Sequence, residues 1–402
     1  MTRILVYSHD TFGLGNIRRM VRISEALVER DPQASVLIVT GSPMLHAFRL
    51  PPRIDYVKLP CLARDTSGAY GVRHLAMEFD AAVRMRAGLI LSAAADFEPD
   101  IVLVDKKPLG VAGEVGPMLE MLGRRATPPQ VHLLLRDILD TPEATRRVWQ
   151  AHDYHGAIER HYDSVLVGGD EAVFDMAQAY AFPAETRRKL RYCGYIDRAN
   201  PALLANPRQP GDLPTMLVHA GGGEDGAATI DAVLDALNLM GADRQFACRV
   251  IGGPELGAEA RERLARRARG LSGVTWLDFC DDMGREIAAA SLIVSMGGYN
   301  SICEVLSYRK RAIIIPRSVP VREQRIRAEA MERHGLLRMM PVERIDPARL
   351  ARMIRIELDF GNVVHSRTAR IRFNGLGEIC DRLLGPAGPH RMAAQTAGTA
   401  RP

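Results

Sequence analysis

The stretch "SMGGYNSICEVLSYRKRAIIIPR", Ser295 to Arg317, decides the fold. It reads as a strand end, a turn at Gly297 and Gly298, a helix carrying Glu304, and an apolar strand closing on Pro316. Strand, turn, helix and strand in that order make a βαβ unit, and continuous apolar strands belong to a parallel sheet covered on both faces. Similar short runs recur before it and within it: "RILVY", "SVLIVT", "DIVLVD", "QVHLLL" and "SVLVGG", then "TMLVHA", "FACRVIGG", "GVTWLDF", "SLIVSMGG" and "RAIIIPR". Alternating with helical patterns and repeated twice, they predict an α/β protein of two Rossmann-like domains.

The break between the domains is legible. "DRANPALLANPRQPGDLP", Asp197 to Pro214, holds four prolines and no strand or helix period, as a linker would. The expected layout is a first domain over 1–196, a linker over 197–214 and a second domain over 215–384, its last helix a candidate to cross back to the first. The small, polar tail 385–402 is expected to be disordered.

Bulk composition narrows the function classes. The chain has 402 residues, enough for two cores, with 47% apolar and 25% charged residues. A net charge of +5 and 5% aromatic residues give no case for nucleic acid. Cys61, Cys193, Cys248, Cys280, Cys303 and Cys380 lack C-x-x-C spacing, and read as reduced thiols with no metal site or disulfide framework. No apolar run reaches the roughly 18 residues of a spanning helix, and "MTRILVYSHD" enters a strand without a leader pattern. A cytoplasmic protein is expected, with room for peripheral contact at the inner-membrane face.

Glycine turns after strands are where α/β proteins hold anions, because backbone N–H groups and a helix N-terminus converge there. "VHAGGGEDG", Val218 to Gly226, supplies Gly221, Gly222 and Gly223 ahead of a helix beginning near Ala227. In the opening stretch, Gly298 ends a turn whose Asn300 or Ser301 can cap a helix and receive a phosphate. Glu304 follows by about one turn, where a carboxylate can accept two ribose hydroxyls or simply complement charge.

The run from Trp276 to Leu336, with F-x-D-D-M at Phe279 to Met283, the small-residue turn before Glu304, the strand closing on Pro316, and Gln324 followed by Ala328, resembles glycosyltransferase family 28. It is closest in pattern to the MurG-type N-acetylglucosaminyltransferases of peptidoglycan synthesis. The resemblance implies the GT-B fold, two Rossmann-like domains facing across a cleft. It implies that backbone at Phe279 and Cys280 meets the nucleobase, that Glu304 takes the ribose, and that Gly222, Gly223, Asn300 and Ser301 hold the diphosphate. Gln324 would reach the donor sugar, and Arg198 falls where the family places an arginine at the domain junction. The family's paired glutamines appear here as Glu323 and Gln324, so the donor sugar need not be N-acetylglucosamine.

Inverting transfer needs a base for the acceptor proton and fixed positive charge for the leaving diphosphate. Helix N-termini, glycine-loop N–H groups and Arg198 can supply the charge, so no metal is required. Asp281 and Asp282 read as a helix cap, not a metal clamp. The base is the open position. In "SHDTFGLGNIRR", Ser8 to Arg19, the frame of Gly13, Gly15 and Arg18 matches MurG-type enzymes and related UDP-sugar hydrolases, but Asn16 stands where they carry histidine. His9 and Asp10, at the tip of the first strand, are the nearest replacements, unless they only cap the loop. Asp105, Arg136, Asp137 and His219 also end strands and read singly as satisfied polar residues.

On the acceptor side, Val72 to Asp100 mixes Arg73, Arg84 and Arg86 with a long apolar face. That segment suits a lipid acceptor or the buried side of a long helix. The expected function is transfer of a hexose or N-acetylhexosamine from a nucleoside-diphosphate sugar, UDP-linked by the resemblance, to the hydroxyl of a lipid-linked, polysaccharide or small-molecule acceptor. A nucleotide-sugar hydrolase or epimerase, or an inactive nucleotide-sugar-binding protein, are the alternatives.

Overall fold

A computed structural model describes residues 1–9, 15–64, 70–204, 213–222, 225–317, 319, 321–359 and 371–385. Asp10, Gly13, Gly223 and the tail from 386 onward lie outside the described residues.

The first sheet contains β1 (Arg3–Ser8), β2 (Ser35–Thr40), β3 (Ile54–Lys58), β6 (Ile101–Asp105), β7 (Gln130–Arg136), β8 (Ser164–Gly168) and β9 (Leu190–Tyr192). Its order is β3-β2-β1-β6-β7-β8-β9, with every pair parallel. A separate antiparallel hairpin joins β4 (Leu62–Arg64) to β5 (Tyr70–Val72). The second sheet runs β12-β11-β10-β13-β14-β15, built from β10 (Thr215–His219), β11 (Ala247–Ile251), β12 (Val274–Leu277), β13 (Leu292–Ser295), β14 (Arg311–Ile314) and β15 (Arg338–Met339), again all parallel. Strand order reverses between β1 and β6 and again between β10 and β13. Open α/β sheets bind ligands beyond the carboxyl ends of the strands at such switch points.

Two helices carry the switch points toward each other. In α1 (Gly15–Arg30), Ile17, Met20, Val21, Ile23, Leu27 and Val28 recur at helical spacing and are buried, which fixes the helix against the first sheet. Opposite it lies the Tyr299–Ser307 helix, reached through a turn whose Gly297 has φ +81°, where an added Cβ would stand 2.6 Å from Ile314 Cγ2. Only glycine fits there. One apolar cluster runs from Ile4 and Ile17 of the first domain through Tyr195 to Ile293, Ile302 and Cys303 of the second.

The C-terminal helix Gly375–Leu384 packs on α1, and Arg30 pairs with Asp381 across that contact. The chain reaches it beside Tyr195, whose amide donates to the Arg372 carbonyl (2.8 Å) and whose carbonyl accepts from the Gly375 amide (3.0 Å).

The segment with Arg73, Arg84 and Arg86 divides in a way its sequence does not show. α2 (Phe79–Phe97) exposes Arg84, Met85 and Leu89, with Arg73 and Leu75 exposed just before it. Arg86, read as part of the same basic face, is instead wholly buried. Its guanidinium donates to Glu114 through Nε (2.5 Å) and Nη2 (2.6 Å), and Tyr7 donates to the same carboxylate at 2.6 Å. A buried carboxylate needs such partners, and Glu114 recruits the one arginine of α2 that points inward. No described helix is long and apolar enough to cross a membrane.

Candidate functional site

The two switch points meet at Gly15 and Asn300. Asn300 Nδ2 donates to the Gly15 carbonyl across the cleft at 2.7 Å, and its Oδ1 accepts from Arg198 Nη2 at 2.8 Å. Below this contact Glu304 is buried and bonded by Arg18 Nη2 at 3.3 Å, with Arg198 Nη1 at 3.9 Å. The first domain, the linker and the second domain thus each bring one group to a single carboxylate region. Arg198 is further fixed by its amide, which donates to Ser307 Oγ at 3.0 Å.

Three buried polar atoms, Arg198 Nε beside Glu304 and His219 Nε2 and Ser295 Oγ at neighbouring strand ends, have no hydrogen-bond partner among the described residues. His219 and Ser295 end β10 and β13 and sit opposite each other in register. By strand alternation they face the side of Leu217 and Ile293, which packs against Ile302 and Cys303 of the Glu304 helix. His219 Nδ1 accepts from the Gly221 amide at 3.4 Å, which leaves the ring proton on Nε2. Burial lowers the pKa of His219, outweighing Glu304, so the ring is a neutral donor. Gly221 turns with φ +63°, and a Cβ there would come 4.0 Å from Ser301 Oγ, so the two glycine turns of the second domain adjoin. Gly222 accepts from the Glu255 amide at 2.7 Å. Gly298 caps the Tyr299–Ser307 helix, its carbonyl accepting from the Ile302 amide at 3.0 Å.

Asn16 has a definite task. Its Nδ2 donates to the His9 carbonyl at 2.7 Å, tying the start of α1 back to the end of β1. His9 itself is buried there, its ring edge-on to Tyr7.

Phe279 is 56% exposed and Cys280 half-buried, on the loop after β12. Asp282 caps the following helix by accepting from the Arg285 amide at 3.0 Å. Gln324 is buried. With its amide assigned to satisfy both neighbours, it donates to the Met296 carbonyl (2.7 Å) and accepts from Arg317 Nε (3.3 Å). Glu323 is engaged too, by Arg327 Nη2 at 2.8 Å and Arg136 Nη1 at 3.4 Å. Burial alone would raise its pKa, but those two guanidinium groups hold it at about 2. A sugar hydroxyl would compete with two arginines for that carboxylate.

Sequence reasoning missed the buried charge network that joins the two halves of the chain. Arg327 reaches from the second domain to Asp137 at the end of β7, which also accepts from Tyr195 Oη at 3.2 Å. Tyr299 lies between two guanidinium groups, Arg19 at 5.6 Å and Arg327 at 5.7 Å from its ring centroid, and Arg19 pairs with Asp105. So Asp137 is a satisfied strand-end residue, whereas Asp105 and Arg136 are paired but each leaves one buried polar atom, Oδ2 and Nε, without a hydrogen-bond partner among the described residues. No grouping of histidine, cysteine and carboxylate side chains that could hold a metal occurs among the described residues.

Residues 216–371 match the family model described as the glycosyltransferase family 28 C-terminal domain. That match lies wholly within the second half of the chain. The matched residues include Glu304, His219 and Ser295, both glycine turns and the Phe279 loop, while Arg18 and Arg198 reach Glu304 from outside them.

Among curated relatives, an enzyme of Syntrophotalea carbinolica is 29% identical over 208 residues, half of this chain and 57% of that protein's length. One of Alkaliphilus metalliredigens is 24% identical over 345 residues, 84% of this chain and 85% of that protein. Both are named UDP-N-acetylglucosamine--N-acetylmuramyl-(pentapeptide) pyrophosphoryl-undecaprenol N-acetylglucosamine transferase. The crystal structure of Acinetobacter baumannii MurG superposes with a TM-score of 0.61 at 14% identity, covering 95% of this chain and 99% of that one. The overall fold is GT-B.

Proposed function

We propose that the protein is an inverting glycosyltransferase that moves N-acetylglucosamine or a similar hexose from a UDP-linked donor to an acceptor hydroxyl without a metal. The observation that carries this reading is the Glu304 cluster, a buried carboxylate bonded by Arg18 and approached by Arg198, at the switch point where the unpartnered His219 and Ser295 end β10 and β13, in the stretch that matches the family 28 model. The relatives' names supply the UDP-linked sugar. In this reading residues 1–196 receive the acceptor and 215–384 the donor.

Glu304 accepts the two ribose hydroxyls, and backbone at Phe279 and Cys280 reads the base. Gly222, Asn300 and Ser301, with Gly223, receive the diphosphate, whose departing charge Arg198 and the adjoining helix N-terminus neutralise. Gln324 orients toward the sugar. The acceptor oxygen attacks the anomeric carbon as the C–O bond to the diphosphate breaks, and its proton passes to His9 or Asp10 at the tip of β1. The exposed Leu75, Met85 and Leu89, beside Arg73 and Arg84, suit a lipid-linked acceptor approached from an anionic membrane surface.

The test follows UDP release from UDP-N-acetylglucosamine with and without a lipid-linked muramyl acceptor. Release that depends on acceptor supports transfer. Equal release without acceptor would make the protein a hydrolase, and binding without release would make it an inactive receptor for the nucleotide sugar.

A further inference from the structure

Arg18 stands on Glu304, the carboxylate that the proposed function gives to the ribose. A ribose whose two hydroxyls bridge both carboxylate oxygens competes with Arg18 for Oε1, the oxygen that Arg18 bonds. Arg18 is 38% exposed at its side chain and bonded to Glu304 at 3.3 Å, whereas Arg198 is 8% exposed, 3.9 Å from the same carboxylate and anchored by Asn300 and Ser307. The exposed arginine is the one that can leave cheaply, since partly solvated ion pairs are worth little. The buried one stays beside Glu304.

We infer that Arg18 is a positioning residue of the transfer reaction, parked on Glu304 until the donor's ribose displaces it, and then taken up by the donor's diphosphate. It lies on the first turn of α1, whose N-terminal Gly15 already touches the phosphate-turn residue Asn300. A guanidinium leaving Glu304 therefore has a short path to a diphosphate seated at Asn300 and Ser301. The exchange conserves charge pairing: one carboxylate trades a cation for two hydroxyl donors, and a dianionic leaving group gains that cation. The orphaned Arg198 Nε, His219 Nε2 and Ser295 Oγ gain an acceptor-rich ligand in the same event. Donor binding would then set the position of a first-domain residue against the second domain, coupling occupancy to cleft geometry.

This inference rests on the nucleotide reading of the Glu304 cluster, and its experiment separates the two. Uridine and UDP are titrated into the wild type, Arg18→Ala and Arg18→Lys, each first shown by its melting curve to be folded. Uridine competes with Arg18 for Glu304 but offers it no phosphate. Arg18→Ala should bind uridine about threefold tighter, the scale of one exposed ion pair, and UDP about tenfold weaker, the scale of one charge-assisted hydrogen bond. Arg18→Lys should recover most of the UDP affinity. A structural arginine would move both ligands in one direction or neither, and that result overturns the inference while the nucleotide site stands. A wild type that binds neither ligand overturns both.

Discussion

Arg327 of the second domain is wholly buried against Asp137 of the first, its Nε 2.9 Å from Oδ2 and its Nη2 2.8 Å from Oδ1. Such a pair costs desolvation to build, but removing one partner strands a charge in the interior. Asp137→Ala is expected to lose about 3–5 kcal/mol of stability, read as a lower denaturant midpoint. The double variant Asp137→Leu with Arg327→Met should lose clearly less, because no guanidinium is left facing an apolar side chain and Glu323 keeps Arg136 at 3.4 Å. Equal losses in single and double variants would show that the pair's charge is not what matters.

Asn16 is a tether in this structure, not a proton acceptor. Asn16→Ala removes its bond to the His9 carbonyl and should cost about 1 kcal/mol of stability. Asn16→Asp should cost more, since it sets a carboxylate against a carbonyl oxygen. Thermal melts of the two variants decide the order.

His9 is one of the two groups, with Asp10, proposed to take the acceptor's proton. His9→Gln should lower kcat by roughly 100-fold to 10,000-fold, the span of general acid–base catalysis, while UDP affinity stays near the wild-type value. A kcat within twofold of wild type would pass the role to Asp10.

His132 gives the fold a pH dependence remote from the cleft. Its Nδ1 meets Ser164 Oγ at 2.8 Å, and burial lowers its pKa to about 4 from the ordinary 6.5. Above pH 6.5 the ring is neutral in both folded and unfolded chains and contributes nothing. As pH falls from 6.5 toward 4 the unfolded chain binds the proton first, so stability drops by about 3 kcal/mol over that window. His132→Gln should flatten this part of the profile, measured as the difference in unfolding free energy between variant and wild type at each pH.

The strands were legible because parallel strands covered on both faces must be apolar throughout, and each of the ten runs read from sequence forms one. β3 escaped because it is an edge strand with Asp55, Tyr56 and Lys58 exposed, so its pattern is broken by solvent-facing residues. The glycine turns and the place of Glu304 followed from local spacing. The partners did not: Arg18 with Glu304 and Arg327 with Asp137 are 286 and 190 residues apart, and no local period encodes them. Arg86 shows the same limit within one helix. Its side chain differs from that of Arg84 only by the face it occupies, and the carboxylate that draws it inward, Glu114, belongs to another segment.

Glu304 is proposed to hold the ribose of a nucleotide donor. The direct measurement is calorimetric titration of UDP and 2′-deoxy-UDP into the wild type and Glu304→Ala. The wild type should prefer UDP by about tenfold, and Glu304→Ala should bind both nucleotides weakly and equally. An undiminished preference for UDP in Glu304→Ala, or a wild type indifferent to the 2′-hydroxyl, would contradict the account.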